Sequence, residues 1–189
     1  MDLDKPIFII TGPSASGKTS IAMEVIKSSA PITKVITTTT RMPRKGEVDD
    51  IDYHFVTRDH FETMIQKDEM FEWARFGDNY YGSQNRDVSA IFHSGKYPLW
   101  VVDVQGAEYF KKHNSTAKVF FVAPESLDIL HQRLKRRGDS SEDITARLSI
   151  AKDEMAKADL FDYKIVNRDG KLAEAVTEIV DIIQSSISL

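Results

Sequence analysis

Gly12-Pro13-Ser14-Ala15-Ser16-Gly17-Lys18-Thr19 is the stretch on which the reading of this chain turns. It satisfies the phosphate-binding pattern G-x-x-x-x-G-K-[ST] at every fixed position. Ahead of it runs Ile7-Phe8-Ile9-Ile10, a buried-strand signature, and after it Ile21, Ala22, Val25 and Ile26 recur at helical spacing. Strand, glycine loop and helix in that order are the context the motif requires. Glycines let the backbone wrap close to phosphate oxygens, and the amides opening the helix point inward. Lys18 brings a cation to the outer phosphates, and the Thr19 hydroxyl can ligate Mg²⁺. With glycine at about 7% of residues, a chance match in a chain this long is on the order of one in a hundred. A nucleoside-triphosphate site follows.

Working outward, strand Ile7 to Thr11 leads through the loop into a helix to about Ser29, stopped by Pro31, and Lys34 to Thr37 reads as a second strand. From Thr37 to Ser83 the character changes to short, polar and β-branched segments. Tyr53 to Val56 reads as a strand, and Asp59 to Lys67 as a helix with Phe61, Met64 and Ile65 on one face. Phe71 to Phe76 reads as a further strand, and Asn79 to Ser83 as a turn. This is an excursion of short strands beside the main sheet. A helix with Val88, Ile91 and Phe92 then closes at Gly95. Leu99-Trp100-Val101-Val102-Asp103-Val104 and Lys118 to Val122 read as strands covered on both faces. A helix carrying Leu127, Leu130 and Leu134 ends near Arg137-Gly138, and Ser140 or Ser141 caps the next, with Ile144, Leu148, Ala151 and Met155 as its apolar positions. Tyr163 to Asn167 is a last strand, before a helix with Leu172, Val176, Ile179 and Ile183. Strands alternating with helices predict an α/β fold with a parallel sheet and ligands at the carboxyl ends of its strands.

Composition bounds the function classes. The 189 residues show no internal repeat or low-complexity tract and read as one continuous domain, 1–189. A net charge of −4 gives no general attraction to nucleic acid or anionic membrane. Cysteine is absent, which excludes disulfides and thiolate-ligated metal. Met1-Asp2-Leu3-Asp4-Lys5 lacks the pattern of a secretory signal, and no apolar run approaches the roughly 20 residues of a membrane span. The expectation is a cytoplasmic protein without membrane or nucleic-acid partners; oligomeric state is not legible.

Three further features bear on what the triphosphate is used for. Arg41 and Arg44, followed by Glu47 and Tyr53, suit a bidentate grip on a phosphate monoester, or form a solvated basic loop. Glu72, in an apolar stretch, can accept paired N–H donors from a base edge, or face solvent on an edge strand. Arg133, Arg136, Arg137 and Arg147 flank a turn between helices, where positioned positive charge would stabilise a transferring phosphoryl group, or complement the helix dipole.

Together these features match a known pattern. Thr39-Thr40-Arg41, Arg44, Glu47, Tyr53 and Phe55 follow T-[ST]-R-x2-[KR]-x2-[DE]-x2-[GA]-x2-Y-x-[FY]. Glu72-Trp73-Ala74, Tyr80-Tyr81-Gly82-Ser83, Asp103-Val104-Gln105-Gly106, Arg133-Leu134, Arg137-Gly138, Arg147-Leu148 and Ile165-Val166-Asn167 follow in order. Over nearly its full length the chain resembles guanylate kinases. The resemblance implies a three-layer P-loop fold with a five-stranded parallel core (1–36, 84–135 and 151–189), a β-rich GMP-binding insertion (37–83) and a helical lid (136–150). It implies transfer of the γ-phosphoryl group of ATP to GMP, with Mg²⁺ as cofactor. Lys18, Arg41, Arg137 and Arg147 would be catalytic. Gly12, Pro13, Ser14, Ala15, Ser16, Gly17, Lys18, Thr19 and Ser20 would hold ATP with Arg133, Arg137 and Asn167. Thr37, Arg41, Arg44, Glu47, Tyr53, Glu72, Tyr81, Gly82, Ser83, Asp103 and Gly106 would form the GMP site. Thr19, with Asp103 through water, would serve the metal. Guanylate-kinase-like binding modules share the fold without catalysis but usually lose loop residues that are complete here; a related kinase with another acceptor would not need Thr37, Glu72 and Ser83.

Four positions depart from the pattern. Ala15 stands where the loop often has glycine, which is tolerable if φ is negative there. Thr37 replaces a usual serine but keeps a hydroxyl. Asp50 occupies the [GA] position, adding a charge before Tyr53, and Val101 stands where relatives often carry a carboxylate.

Overall fold

A computed structural model describes residues 5–28 and 30–187, and within it the chain divides into two compact units. One is Thr33–Pro98; the described part of the other covers residues 5–32 and 99–187. Met1 to Asp4 and Ser29, on which the leader reading and the expected end of the first helix rest, lie outside the described residues.

The larger sheet is five-stranded and all-parallel, in the order β2-β7-β1-β8-β9, and β1, β8 and β9 lie wholly in the larger unit. Its strands are β1 (Ile7–Thr11), β2 (Ile32–Lys34), β7 (Tyr97–Val101), β8 (Ala117–Pro124) and β9 (Tyr163–Asn167). Phe8 pairs with Leu99 on one side and Lys118 on the other, and Pro124 pairs with Asn167. Every residue of β1 is buried, as are Val119 to Pro124. Successive strand residues face opposite ways, so helices cover both faces, and this is why the sequence shows unbroken apolar runs rather than alternation. α1 (Lys18–Lys27) buries Ile21, Ala22 and Val25, and α7 (Leu172–Ile187) buries Ala175, Ile179 and Ile183. α5 (Leu127–Arg137) and α6 (Ser141–Ala156) share a core of Leu130, Leu134, Ile144 and Ala151, with Ala15 and Leu148 packed against it. The architecture is the expected α/β fold.

The smaller unit holds a mixed sheet of its own, ordered β4-β3-β6-β5. β3 (Thr37–Thr39) runs parallel to β4 (Tyr53–Phe55) and antiparallel to β6 (Asn79–Gln84), which in turn pairs with β5 (Met70–Phe76). α2 (Arg58–Gln66) is capped by Thr57 and contributes Phe61 and Met64 to a cluster with Met70; Val56, Ile65 and Tyr80 pack on it. The Phe61 and Tyr80 rings stack at 5.2 Å. α3 (Asn85–His93) buries Val88 and Ile91 and ends as expected, with Gly95 at φ 75° just beyond.

Several expectations need correcting. The strand placed at Lys34 to Thr37 is two strands, β2 and β3, in different sheets, with Val35 and Ile36 between them. Asn79 to Ser83 is not a turn but most of β6; the chain reverses at Gly77-Asp78, with Gly77 at φ 59°. Gly82 marks close packing instead, since a Cβ there would lie 2.5 Å from the Glu72 carbonyl oxygen. The run Leu99 to Val104 is strand only to Val101: Asp103 caps α4 (Val104–His113), a helix the sequence reading missed. α1 ends at Lys27, before Pro31 is reached.

The Phe61 cluster supplies the apolar core of the small unit, so Phe61→Ala is expected to cost about 3–5 kcal/mol. A urea titration followed by Trp73 fluorescence measures it; a loss below about 1 kcal/mol would show that the small sheet does not rest on this side chain.

Candidate active site

The carboxyl ends of β1, β7, β8 and β9 carry the functional groups of the larger unit. β1 ends at Thr11, and the loop from Gly12 turns directly into α1, whose N-cap is Gly17 at φ 102° with no side-chain cap. The first-turn N–H groups of an α-helix have no partners within the helix, so this end is prepared for an anion. Gly12, at φ 137°, lies so close to β8 that a Cβ would sit 2.2 Å from the Val122 carbonyl oxygen. Ala15 takes φ 62°, so the negative value that would leave an alanine unstrained there is not adopted. Its methyl packs on the α5–α6 core, an apolar contact that offsets part of the cost of a left-handed alanine.

The loop is braced from two distant stretches. Asn167 Nδ2 donates to the Ser16 carbonyl at 2.7 Å, and Arg133 Nη1 donates to the same oxygen at 3.2 Å. Arg133 Nη2 also reaches the Asn167 carbonyl at 2.9 Å. Lys18 Nζ donates to the carbonyls of Gly12 and Pro13 at 2.6 and 2.8 Å. Burial lowers its pKa to about 8, although Glu154 on α6 and Asp103 pull it upward. Gly17, Lys18, Thr19, Arg133, Arg137 and Asn167 line a cavity of about 620 Å³, within the size range of small-molecule sites. Ser20 borders it as well.

Two arginines reach the loop from the α5–α6 elbow. Arg137 Nη1 and Arg147 Nη1 approach Ser14 Oγ at 3.5 and 3.2 Å. Both also meet the carboxylate of Asp139, a residue the sequence reading passed over; its only signal was an acid lying between two arginines. Asp103 accepts from the Gly106 N–H at 2.8 Å as the cap of α4.

Among the described residues no group of three or more His, Cys, Asp or Glu could cage a metal. Mg²⁺ takes few protein ligands and keeps waters and substrate phosphates. The exposed Thr19 hydroxyl and the exposed Asp103 carboxylate are hard oxygen donors of that kind, and fit such a partially protein-held ion.

The smaller unit carries a second constellation. Arg41 makes a paired contact with Glu47, Nη1 to Oε2 at 3.0 Å and Nη2 to Oε1 at 2.9 Å. Glu47 Oε2 also accepts the Arg44 backbone N–H at 2.7 Å, whereas the Arg44 side chain is exposed. Glu47 is held below the usual carboxylate range, chiefly by Arg41. The Arg41 guanidinium lies 5.3 Å from the Tyr53 ring centroid and is influenced by Tyr81. Burial raises the Tyr53 phenol. Thr37 opens β3 opposite Tyr53. Asp50 adopts φ 62°, donates its N–H to the Tyr53 carbonyl at 2.9 Å, and pairs its carboxylate with His54 Nδ1 at 2.6 Å. Its short polar side chain tolerates the left-handed conformation at this turn.

Glu72 sits at a register shift in β5, which sets it opposite Ser83 on β6. Bulges of this kind re-aim side chains. Ser83 Oγ donates to Glu72 Oε1 at 2.8 Å. Burial nevertheless raises the Glu72 carboxyl to about 7, with the Ser83 contacts opposing the shift. Of the expected acceptor residues, Thr37, Arg41, Arg44, Glu47, Tyr53, Glu72, Tyr81, Gly82 and Ser83 fall in this unit; Asp103 and Gly106 fall in the larger one.

Residues 4–186 match the protein family described as Guanylate kinase. The chain belongs to the guanylate kinase family. It is 37% identical over 182 residues to the guanylate kinase of Prochlorococcus marinus subsp. pastoris, covering 96% of this chain and 98% of that one. It is 39% identical over 180 residues to the guanylate kinase of Thiobacillus denitrificans, covering 95% and 85%. Among solved structures, the guanylate kinase of Anaplasma phagocytophilum superposes with a TM-score of 0.74 at 27% identity, covering 97% of this chain and 86% of that one. Guanylate kinase membership accounts for the P-loop kinase fold of the larger unit.

Because the loop depends on backbone proximity at Gly12, Gly12→Ala is expected to destabilise the protein by about 1–3 kcal/mol from conformational strain alone and to abolish triphosphate binding. Calorimetric titration with ATP checks this; retained binding would mean that β1 and β8 can move apart.

Proposed function

We propose that this chain transfers the γ-phosphoryl group of ATP to GMP, with dGMP as a further acceptor, giving ADP and GDP in purine nucleotide metabolism. The observation that carries the acceptor assignment is Glu72, a part-covered carboxyl bonded to Ser83. Guanine presents an N1–H and a 2-amino group side by side, and an ionised carboxylate can accept both. Adenine has neither donor and would leave the acid unpaired, which is costly. Thr37 and Ser83 serve the rest of the base. Arg41, Arg44, Tyr53 and Tyr81 hold the GMP phosphate, with Glu47 fixing the Arg41 fork.

In the mechanism a phosphate oxygen of GMP forms a bond to the γ-phosphorus as the bridging bond to the β-phosphate breaks, and ADP leaves. No proton has to move between the two phosphates. The protein's task is positioning and charge. The α1 N-terminus receives the donor phosphates, and Lys18 exchanges its two carbonyl contacts for phosphate oxygens. Arg137 and Arg147 neutralise charge on the transferring group, while Arg41 restrains the attacking phosphate. Thr19, and Asp103 through water, would hold Mg²⁺, which when bound would supply Lewis-acid stabilisation of the phosphate oxygens. Gly106 supports Asp103 through the helix cap. Arg133 and Asn167 keep the loop in shape and border the adenosine side. Residues 37–83 act as the GMP-binding sub-domain and 136–150 as a lid that closes and excludes water.

A coupled assay with ATP, Mg²⁺ and GMP tests the proposal, and GMP is expected to outrun AMP by orders of magnitude. No turnover by folded protein would leave only the fold. Lys18→Met is expected to lower kcat by at least about a hundredfold with an unchanged circular dichroism spectrum. The Glu72 carboxyl also sets a pH dependence. Below about 7 it is protonated, cannot accept both donors, and binds GMP poorly; above that value the carboxylate dominates. Affinity for GMP is therefore expected to rise roughly tenfold from pH 6 to pH 8. Glu72→Gln should weaken GMP binding and remove that rise; an unchanged affinity would refute the base-reading role.

A further inference from the structure

We propose that Asp139 is a positioning residue for phosphoryl transfer: one carboxylate holds Arg137 and Arg147 by their Nε edges, so that both Nη1 groups aim at the phosphate loop. The proposal deepens the functional reading above and rests on it for the role of the arginines. The contacts divide each guanidinium into a held edge and a presented edge. Arg137 Nε donates to Asp139 Oδ1 at 2.8 Å and its Nη2 to Oδ2, leaving Nη1 toward Ser14 Oγ at 3.5 Å. Arg147 Nε lies 3.1 Å from Asp139 Oδ2, and its Nη1 reaches Ser14 Oγ at 3.2 Å. Two side chains from different helices thus converge on one loop hydroxyl because they share one acid.

The acid is well placed to be a fixed point. Its side chain is only 13% exposed, against 46% and 44% for the two arginines. It is the single residue between two helix caps: Gly138, left-handed at φ 88°, ends α5, and Ser140 opens α6 by accepting the Asp143 N–H at 3.1 Å. The helices on either side are locked by Leu130, Leu134, Ile144 and Ala151. Asp139 therefore rides on a packed elbow, and a long arginine pinned to it loses most of its freedom before substrate arrives. Each arginine otherwise carries rotamer entropy that is lost on binding phosphate. The arrangement has an electrostatic cost as well. Two positive charges and one negative leave a single net positive charge facing the loop, so Asp139 gives up some attraction for the triphosphate in exchange for orientation. Arg137 first, and Arg147 after it, hold the carboxyl below its ordinary range, so it stays ionised where the enzyme works.

This exchange predicts a distinctive split between kinetic constants. In Asp139→Asn, which keeps the size of the side chain and both caps, kcat is expected to fall by about tenfold to a hundredfold. KM for ATP is expected to stay level or fall, because an anion beside the triphosphate has gone. A merely structural elbow would lower folded fraction and leave kcat per folded molecule intact. An unchanged or increased kcat overturns the proposal. In an Arg137→Lys/Arg147→Lys background, which lacks the Nε edge, Asp139→Asn should have little further effect; full additivity also overturns it. Wild-type turnover of GMP is the control for the functional reading. Independently of turnover, the Nε–H resonances of Arg137 and Arg147 should be slow to exchange in the wild type and released in Asp139→Asn. Freely exchanging resonances in the wild type would dismiss the inference even if the enzyme is active.

Discussion

The carbonyl of Ser16 ties the larger unit to its function. Asn167 at the end of β9 and Arg133 on α5 both donate to it, and they bond to each other through the Asn167 carbonyl. The result is a small closed circuit joining loop, strand and helix, with one charged donor among its members. Hydrogen bonds to charged groups contribute about 1.5–3 kcal/mol each, enough to hold one loop conformation against the many open to a glycine-rich segment. Gly17 is part of the same constraint, since a Cβ there would lie 2.2 Å from Asn167 Nδ2. The anion cradle is thus shaped by the protein itself, and Lys18 rests within it on two main-chain oxygens.

The acids of the molecule have unlike assignments, and their partners explain why. Glu47 is saturated by Arg41 and the Arg44 N–H and stays ionised, so it works as a splint. Asp139 is shared between two cations and also stays ionised. Glu72 has a neutral partner, Ser83, and among the described residues no cation beside it, so burial dominates and it keeps its proton up to about pH 7. On the proposed reading, that acid is kept for a ligand that brings its own donors.

Much of this was legible in the sequence. The unbroken apolar runs gave β1 and β8 because a strand covered on both faces has no polar side to display. The loop motif was legible because its glycines answer backbone demands that side chains cannot meet. Three things were not. α4 was missed because the apolar run into Val104 masks the cap at Asp103, where strand becomes helix without a change of hydropathy. β6 was taken for a turn because Gly82 resembles punctuation, while its real cause is the neighbouring strand pressing on it. Asp139 carried no signal beyond its charge, since its importance lies in which two side chains happen to converge on it.

The half-ionised state of Glu72 near neutrality has a thermodynamic consequence for the base pocket. On the proposed reading guanine capture selects the carboxylate, so the fraction of molecules still carrying the proton would surrender it to solvent as the nucleotide docks. The measured heat of association then contains the ionisation enthalpy of whatever buffer takes it up. Phosphate and Tris solutions at the same acidity would report different enthalpies for one and the same encounter.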